Sequence, residues 1–399
     1  MFTIELNMFY TATVAVLVLL LGSFIKKRVY LLEKFCIPVP VVGGIVFTLI
    51  TLIGYLTKTF VIQFDFVLSD FFMLVFYTSI GFTASIPLLK KAGKAAIVFL
   101  ILSSLLVILQ NAWGILGSMI IGVDPLVGIA TASIPMTGGH GTSAAFAPDL
   151  VKLGLETATT ITLSAATFGL VAGALIGGPV GKFLIEKKSK TKSASEGENI
   201  IDFESSMENA LTVKGFRESA YLMLISIGLG TVLSKLLSLS GLNFPASVGG
   251  MLASAAILNL NNDKNRFHVH HSELELMGEI ALSIFLAMSM MKLKLWELSE
   301  LGIPMLFLLF GQVILMVLFG VFLTFKLMGS DYDACLITAG HCGFGLGAVP
   351  TAMANMDTLS EKYGYSPKAF FLVPLIGSLF INVINSFVVT IAMNIAASI

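Results

Sequence analysis

Apolar runs of about 17 to 25 residues recur along most of the chain, separated by short polar or basic turns. A helix crossing a bilayer needs about 20 such residues. The pattern predicts ten spans, near 9–25, 36–57, 71–89, 95–121, 157–185, 219–238, 244–260, 276–295, 304–328 and 369–396. Two further apolar stretches, about 125–148 and 333–355, are interrupted by glycines. Each reads as a re-entrant hairpin that enters the membrane and returns on the same side. A polar segment at 186–217, rich in Lys, Ser, Glu and Asn, is the obvious linker. It separates residues 1–185 from 218–399, and each part holds five spans and one hairpin.

The two hairpins share a motif. Thr137-Gly138-Gly139-His140-Gly141-Thr142-Ser143 is answered, 201 positions later (338 − 137), by Thr338-Ala339-Gly340-His341-Cys342-Gly343-Phe344-Gly345-Leu346-Gly347. Both follow T-x-G-H. Other landmarks recur in the same order: Pro40 and Gly43-Gly44 with Pro245 and Gly249-Gly250, Ser79-Ile80 with Ser283-Ile284, and Gln110 with Gln312. Shared order and spacing argue for an internal repeat. Five crossings per copy is an odd number, so the second copy enters from the opposite face, the inverted layout of many secondary transporters. The expected fold is an all-α polytopic membrane protein of two inverted five-helix repeats.

Composition agrees. The chain is 56 % hydrophobic and 12 % charged, with mean hydropathy +0.93, against about 25 % charged residues in soluble domains. Net charge is zero, which gives no reason to expect nucleic acid as a partner. Cys36, Cys335 and Cys342 form no metal-type spacing and indicate no disulfide framework. The first 25 residues carry Glu5 and no Lys or Arg, so the first run reads as a retained span rather than a signal peptide. With both termini outside and the linker cytoplasmic, 19 of the 24 Lys and Arg face inward, among them Lys26 to Lys34, Lys90 to Lys94 and the linker lysines. Lys58, Lys152, Lys292 and Lys294 face outward, and Lys235 lies near the outer end of span six. That bias follows the positive-inside rule and would collapse if the hairpins crossed fully. Lys292 and Lys294 stand as exceptions.

Glycine-rich backbone at membrane depth survives only when buried in protein or lining a polar cavity. Two tips meeting near the midplane offer N–H groups to anions and carbonyls to cations. The hydroxyls of Thr137, Thr142 and Ser143 add donors and acceptors. Asn355, Asn382 and Asn385 can do the same, as can Gln110 and Asn111, although a polar residue in a span often only bonds a neighbouring helix. The repeated His140 and His341 are candidates for binding, tip structure or titration. Gly169, Gly173, Gly177 and Gly181 recur every four residues, a face that another backbone can approach closely. His268, His270 and His271 read as a solvated loop. Pro87, Pro179, Pro304 and Pro374 mark possible kinks. No Walker sequence, H-E-x-x-H or G-x-S-x-G motif occurs, so neither an ATP-driven pump nor an enzyme is expected. Deep carboxylates are nearly absent from the spans, which favours Na⁺ held by carbonyls and hydroxyls over a proton relay.

Several motifs are specific. They are Thr167-Phe168-Gly169-Leu170-Val171-Ala172-Gly173 through Ile176-Gly177-Gly178-Pro179-Val180, Gly138-Gly139-His140-Gly141-Thr142, Ala339-Gly340-His341-Cys342-Gly343-Phe344-Gly345-Leu346-Gly347-Ala348, Ser283-Ile284-Phe285-Leu286-Ala287-Met288, and Lys294-Leu295-Trp296-Glu297-Leu298. Through them the whole chain resembles the bacterial sodium/glutamate symporter family. The resemblance implies Na⁺-driven uptake of L-glutamate across the cytoplasmic membrane, pore-facing re-entrant loops, and a homodimeric elevator carrier surrounded by lipid. It implies no organic cofactor. Another organic anion such as citrate or malate, coupled to Na⁺ or H⁺, is the alternative cargo. Ala147-Pro148-Asp149 departs from the family pattern, and that proline is expected to alter the helix leaving the first tip.

Overall fold

The computed structural model describes residues 2–30, 32, 37–187, 211–239, 245–264, 268–293 and 302–399. Cys36, Lys294 to Leu298 and most of the 186–217 linker lie outside the described residues. All ten expected spans have helical counterparts, because a helix satisfies its own backbone where no water is available. Eight of the described helices are long and apolar enough to cross a membrane.

The first repeat runs α1 (Met8–Lys26), α2 (Val39–Leu56), α3 (Val67–Gly81), α4 (Ile86–Lys91), α5 (Gly93–Ile121), α6 (Pro125–Ala130), α7 (Gly139–Lys152) and α8 (Ala158–Lys187). The second runs α9 (Val213–Ser238), α10 (Ala246–Lys264), α11 (His271–Met291), α12 (Gly302–Leu327), α13 (Tyr332–Leu346), α14 (Val349–Tyr363) and α15 (Pro367–Ala396).

Span three differs from expectation. It is the 15-residue α3, with a break before α4. Pro87 sits in the first turn of α4, where its missing N–H costs nothing and a new helix can start. Asn259 of α10 patches the gap: its Nδ2 donates to the Ala84 carbonyl (2.8 Å), and its Oδ1 accepts from Ile86 N–H (2.8 Å). α12 and α15 each contain a π-helical stretch, Gly320–Thr324 and Leu375–Phe380. The second directly follows Pro374, whose ring cannot continue regular α hydrogen bonding.

Two short strands depart from an all-helical reading. β1 (Phe2–Leu6) and β2 (Phe60–Phe64) pair in parallel, Phe2 opposite Phe60. β1 leads into α1 and β2 follows α2, so the two helices cross and return to the same face. Lys292 lies near that strip, its Nζ 4.1 Å from the Phe66 ring centroid. Burial pushes its pKa down, opposed by Asp70. The expected exception therefore has a cation–π partner.

The helices sort into two bundles. α1, α2, α3, α9, α10 and α11 pack on one another, while α5 to α8 and α12 to α15 form the second group, with few contacts between the two. Each repeat supplies three helices to the first bundle and two spans plus a hairpin to the second. The packing is reciprocal. A Cβ on Gly43 would lie 2.0 Å from the Val18 carbonyl oxygen of α1, and one on Gly249 would lie 2.1 Å from the Gly230 oxygen of α9. Their neighbours cross between repeats: Gly44 abuts Met290 of α11, and Gly250 abuts Thr78 of α3.

Candidate functional site

Each hairpin is two helical arms around a break. In the first, α6 opens with Pro125 after Asp124, whose side chain accepts from Leu126 N–H (2.7 Å). The chain then turns through 131–138 before α7 begins. Gly139 has φ +63°, a left-handed conformation that costs other residues about 1–2 kcal/mol. In the second hairpin, Asp331 caps α13 by accepting from Ala334 N–H (2.8 Å). The break falls at Gly347-Ala348, and Pro350 lies in the first turn of α14.

This placement corrects the symmetric reading of the two motifs. The first T-x-G-H ends its break, so Gly139 to Ser143 open α7. The second lies wholly within α13, so Gly340, His341, Gly343 and Gly345 are helical and not at a tip. Their glycines make room for neighbours. A Cβ on Gly343 would come within 2.4 Å of Ala352 Cα, and one on Gly340 within 2.9 Å of Met356 and Val373. Pro148 lies inside α7, and the helix runs through it.

The two breaks meet. A Cβ on Gly139 would lie 3.0 Å from the Gly347 carbonyl oxygen. Beside them is a cavity of about 450 Å³ at the junction of the two bundles. The hairpin bundle contributes Thr137 to Thr142, Leu170, Phe344, Gly347 to Val349, Gly377, Ser378 and Asn382. The six-helix bundle contributes Pro38 to Pro40, Phe76, Ile80, Leu282, Ser283 and Leu286. None of these lining residues is charged, and both α7 and α14 begin at the cavity without a side-chain cap. Uncapped helix starts leave backbone N–H groups and a partial positive charge for an anion.

Of the expected site residues, Thr137, Gly138, Gly139, His140, Gly141, Thr142, Gly347 and Asn382 line the cavity. The others do not. Ser143 and Asn385 are fully buried behind its wall. Asn355 Nδ2 donates to the Gly173 carbonyl (3.0 Å), tying α14 to α8. The glycine face of α8 indeed admits another backbone: Gly169 faces the Leu346 oxygen, and Gly177 faces Asn355.

The two histidines have separate settings. His140 Nε2 and Thr167 Oγ1 are 3.0 Å apart, while the Thr167 hydroxyl donates to the Leu163 carbonyl (3.0 Å). A hydroxyl has one proton, so His140 is the donor, from Nε2. His341 is buried among Phe99, Phe319 and Phe344, its Nδ1 3.0 Å from Thr324 Oγ1 in the π stretch of α12. It supports the hairpin from behind rather than facing the cavity. His270 pairs with Glu218 (3.1 Å), and no group of His, Cys, Asp and Glu suited to a metal occurs among the described residues.

Gln110 joins the hairpins. Its Oε1 accepts from Thr137 Oγ1 (2.7 Å), and its Nε2 donates to the Gly345 carbonyl (2.7 Å). Gln312, its counterpart in the repeat, donates from Nε2 to the Gln110 carbonyl (2.9 Å). Phe76, Leu282 and Leu286 were not legible as lining residues, because apolar positions in a span carry no mark of which bundle they face. Ser378 had a signal, four residues before Asn382, whose Nδ2 donates to its carbonyl (2.9 Å).

The helices and the shared cavity define a multi-pass α-helical membrane protein. A profile of the sodium/glutamate symporter family matches residues 4–365, and the chain belongs to that family of transporters. The sodium/glutamate symporter of Haemophilus influenzae is 40 % identical over 94 % of this chain and 94 % of its own. That of Escherichia coli is 37 % identical over 96 % and 97 %. Among solved structures, a sodium–proton antiporter from Methanocaldococcus jannaschii aligns over 97 % of this chain and 96 % of its own, at 16 % identity and a TM-score of 0.42, too distant a likeness to inform the fold.

Proposed function

We propose that this protein carries L-glutamate into the cell together with Na⁺, binding the amino acid in the cavity between the two bundles. The observation that carries the reading is the pair of uncapped helix starts, α7 and α14, at one cavity with no charged side chain in its lining. Two partial positive charges suit the two carboxylates of glutamate. His140 and Asn382 supply side-chain contacts, and Thr137 and Thr142 supply hydroxyls.

The two repeats are inverted, the hairpins re-entrant, both termini external and the linker cytoplasmic, in the inner membrane. The reciprocal glycine contacts and the inward lysines support that arrangement. The hairpin bundle is the moving body of an elevator and the six-helix bundle its scaffold, consistent with the sparse contacts between them. The scaffold also forms a homodimer. In α1 and α9, 22 % of each apolar window is buried, leaving surface for a second copy and for lipid.

The test is uptake of radiolabelled glutamate into proteoliposomes under an inward Na⁺ gradient. Concentrative uptake that collapses when K⁺ replaces Na⁺ is expected. Uptake unaffected by that replacement refutes the coupling, and citrate or malate outcompeting glutamate refutes the cargo.

A further inference from the structure

Behind the cavity wall, where α5, the break before α7, and α15 meet, three polar residues converge. Asn111, Ser133 and Asn385 are 3 %, 0 % and 0 % exposed. Asn111 Nδ2 donates to the Val107 carbonyl (2.9 Å) and to Ser133 Oγ (2.7 Å). Asn385 Nδ2 donates to the Ser133 carbonyl (3.2 Å). Each amide nitrogen thus faces a backbone carbonyl, and turning either amide over would set oxygen against oxygen. Their orientations are fixed. The atoms left over are Asn111 Oδ1 and Asn385 Oδ1, both buried and without a hydrogen-bond partner.

Buried polar atoms without partners are rare and costly. Here two carboxamide oxygens converge on one serine at an unwound segment. A donor set of neutral oxygens is what a hard monovalent cation takes in exchange for its hydration shell. We propose that Asn111 Oδ1, Asn385 Oδ1 and Ser133 Oγ hold one of the coupling Na⁺ ions. The assignment rests on the Na⁺-coupled reading above and gives that ion its ligands.

The site is joined to the cavity in two ways. Gly138 N–H donates to the Ser133 carbonyl (3.0 Å), so Ser133 closes the turn whose Thr137 and Gly138 line the cavity. Asn385 follows Asn382, a lining residue, by three positions on α15. An ion at Ser133 fixes the wall that the amino acid touches, and the amino acid fixes the turn that holds the ion. By linkage each raises the affinity for the other.

The test compares wild type with Ser133→Ala and Asn385→Ala. Na⁺ is titrated in glutamate uptake by proteoliposomes, and Na⁺-dependent thermal stabilisation is measured against K⁺ in detergent without glutamate. Both variants are expected to raise half-saturating Na⁺ about tenfold or more, the effect of losing a charge-assisted contact. Their KM for glutamate should return to the wild-type value at saturating Na⁺. Unchanged half-saturating Na⁺, or a KM still raised at saturating Na⁺, overturns the site. If Asn385→Ala does not fold, Ser133→Ala, which removes a single oxygen, decides. Wild-type uptake that ignores Na⁺ would sink the symport reading, whereas a Na⁺-driven wild type with unmoved variants sinks only this site.

Discussion

Gln110→Ala removes the side chain that bonds both hairpins at once. Two hydrogen bonds of 2.7 Å disappear, stranding the Thr137 hydroxyl and the Gly345 carbonyl. Hydrogen bonds between membrane helices are worth about 0.6 kcal/mol on average and up to about 1.7, so the pair predicts a loss of about 1–3 kcal/mol. Gln312→Ala is the internal control. It removes one bond, to the Gln110 carbonyl, and a side-chain oxygen that has no partner, so it should cost less than about 1.7 kcal/mol. Thermal unfolding in detergent ranks the two variants, and glutamate uptake reports whether the shared cavity keeps its shape. The expected order is wild type above Gln312→Ala above Gln110→Ala in both assays. Equal losses in the two variants, or a Gln110→Ala protein with wild-type stability and transport, would refute the argument that this glutamine ties the hairpins together.

Gly139→Ala should cost about 1–2 kcal/mol through its left-handed backbone alone and push against the Gly347 oxygen, lowering uptake at normal expression; wild-type kinetics would count against the meeting of the two breaks. Thr167→Val leaves the His140 Nε2–H without its acceptor, worth about 1–3 kcal/mol, and Thr167→Ser should restore both stability and transport, read by the same two assays. Glutamate carries net −1, and moving it inward against 100 mV costs about 2.3 kcal/mol, which each Na⁺ offsets. With at least two ions per cycle, an inside-negative potential should accelerate uptake, and rates indifferent to clamped potential would exclude that stoichiometry.

Long apolar runs made the spans legible, since nothing else explains so many in one chain. The glycines of α8 were legible as a packing face because their spacing of four fixes them to one side of a helix. The second break was misplaced, because Gly340, Gly343 and Gly345 look like a tip. Packing overrides their low helix propensity, because the crowded contacts with α14 and α15 leave no room for side chains there. The β1–β2 pair was missed although Phe2 to Leu6 and Phe60 to Phe64 are rich in strand-forming residues. Its partners are far apart in the chain, and neither run is long enough to stand out beside the helices. The division into two bundles had no local signature at all, since it depends on which apolar faces meet.

The widened coil at Leu375–Phe380 has a consequence for how the protein tolerates length changes. A residue removed from this stretch would let ordinary winding resume, and everything downstream would swing by about 100° about the helix axis. Asn382 and Asn385 would then point elsewhere, though every side chain remained in the gene product. Of all single deletions in the last membrane segment, those six positions should therefore silence uptake while sparing insertion into the bilayer, a split that flux and surface-labelling measurements on the same vesicles can detect.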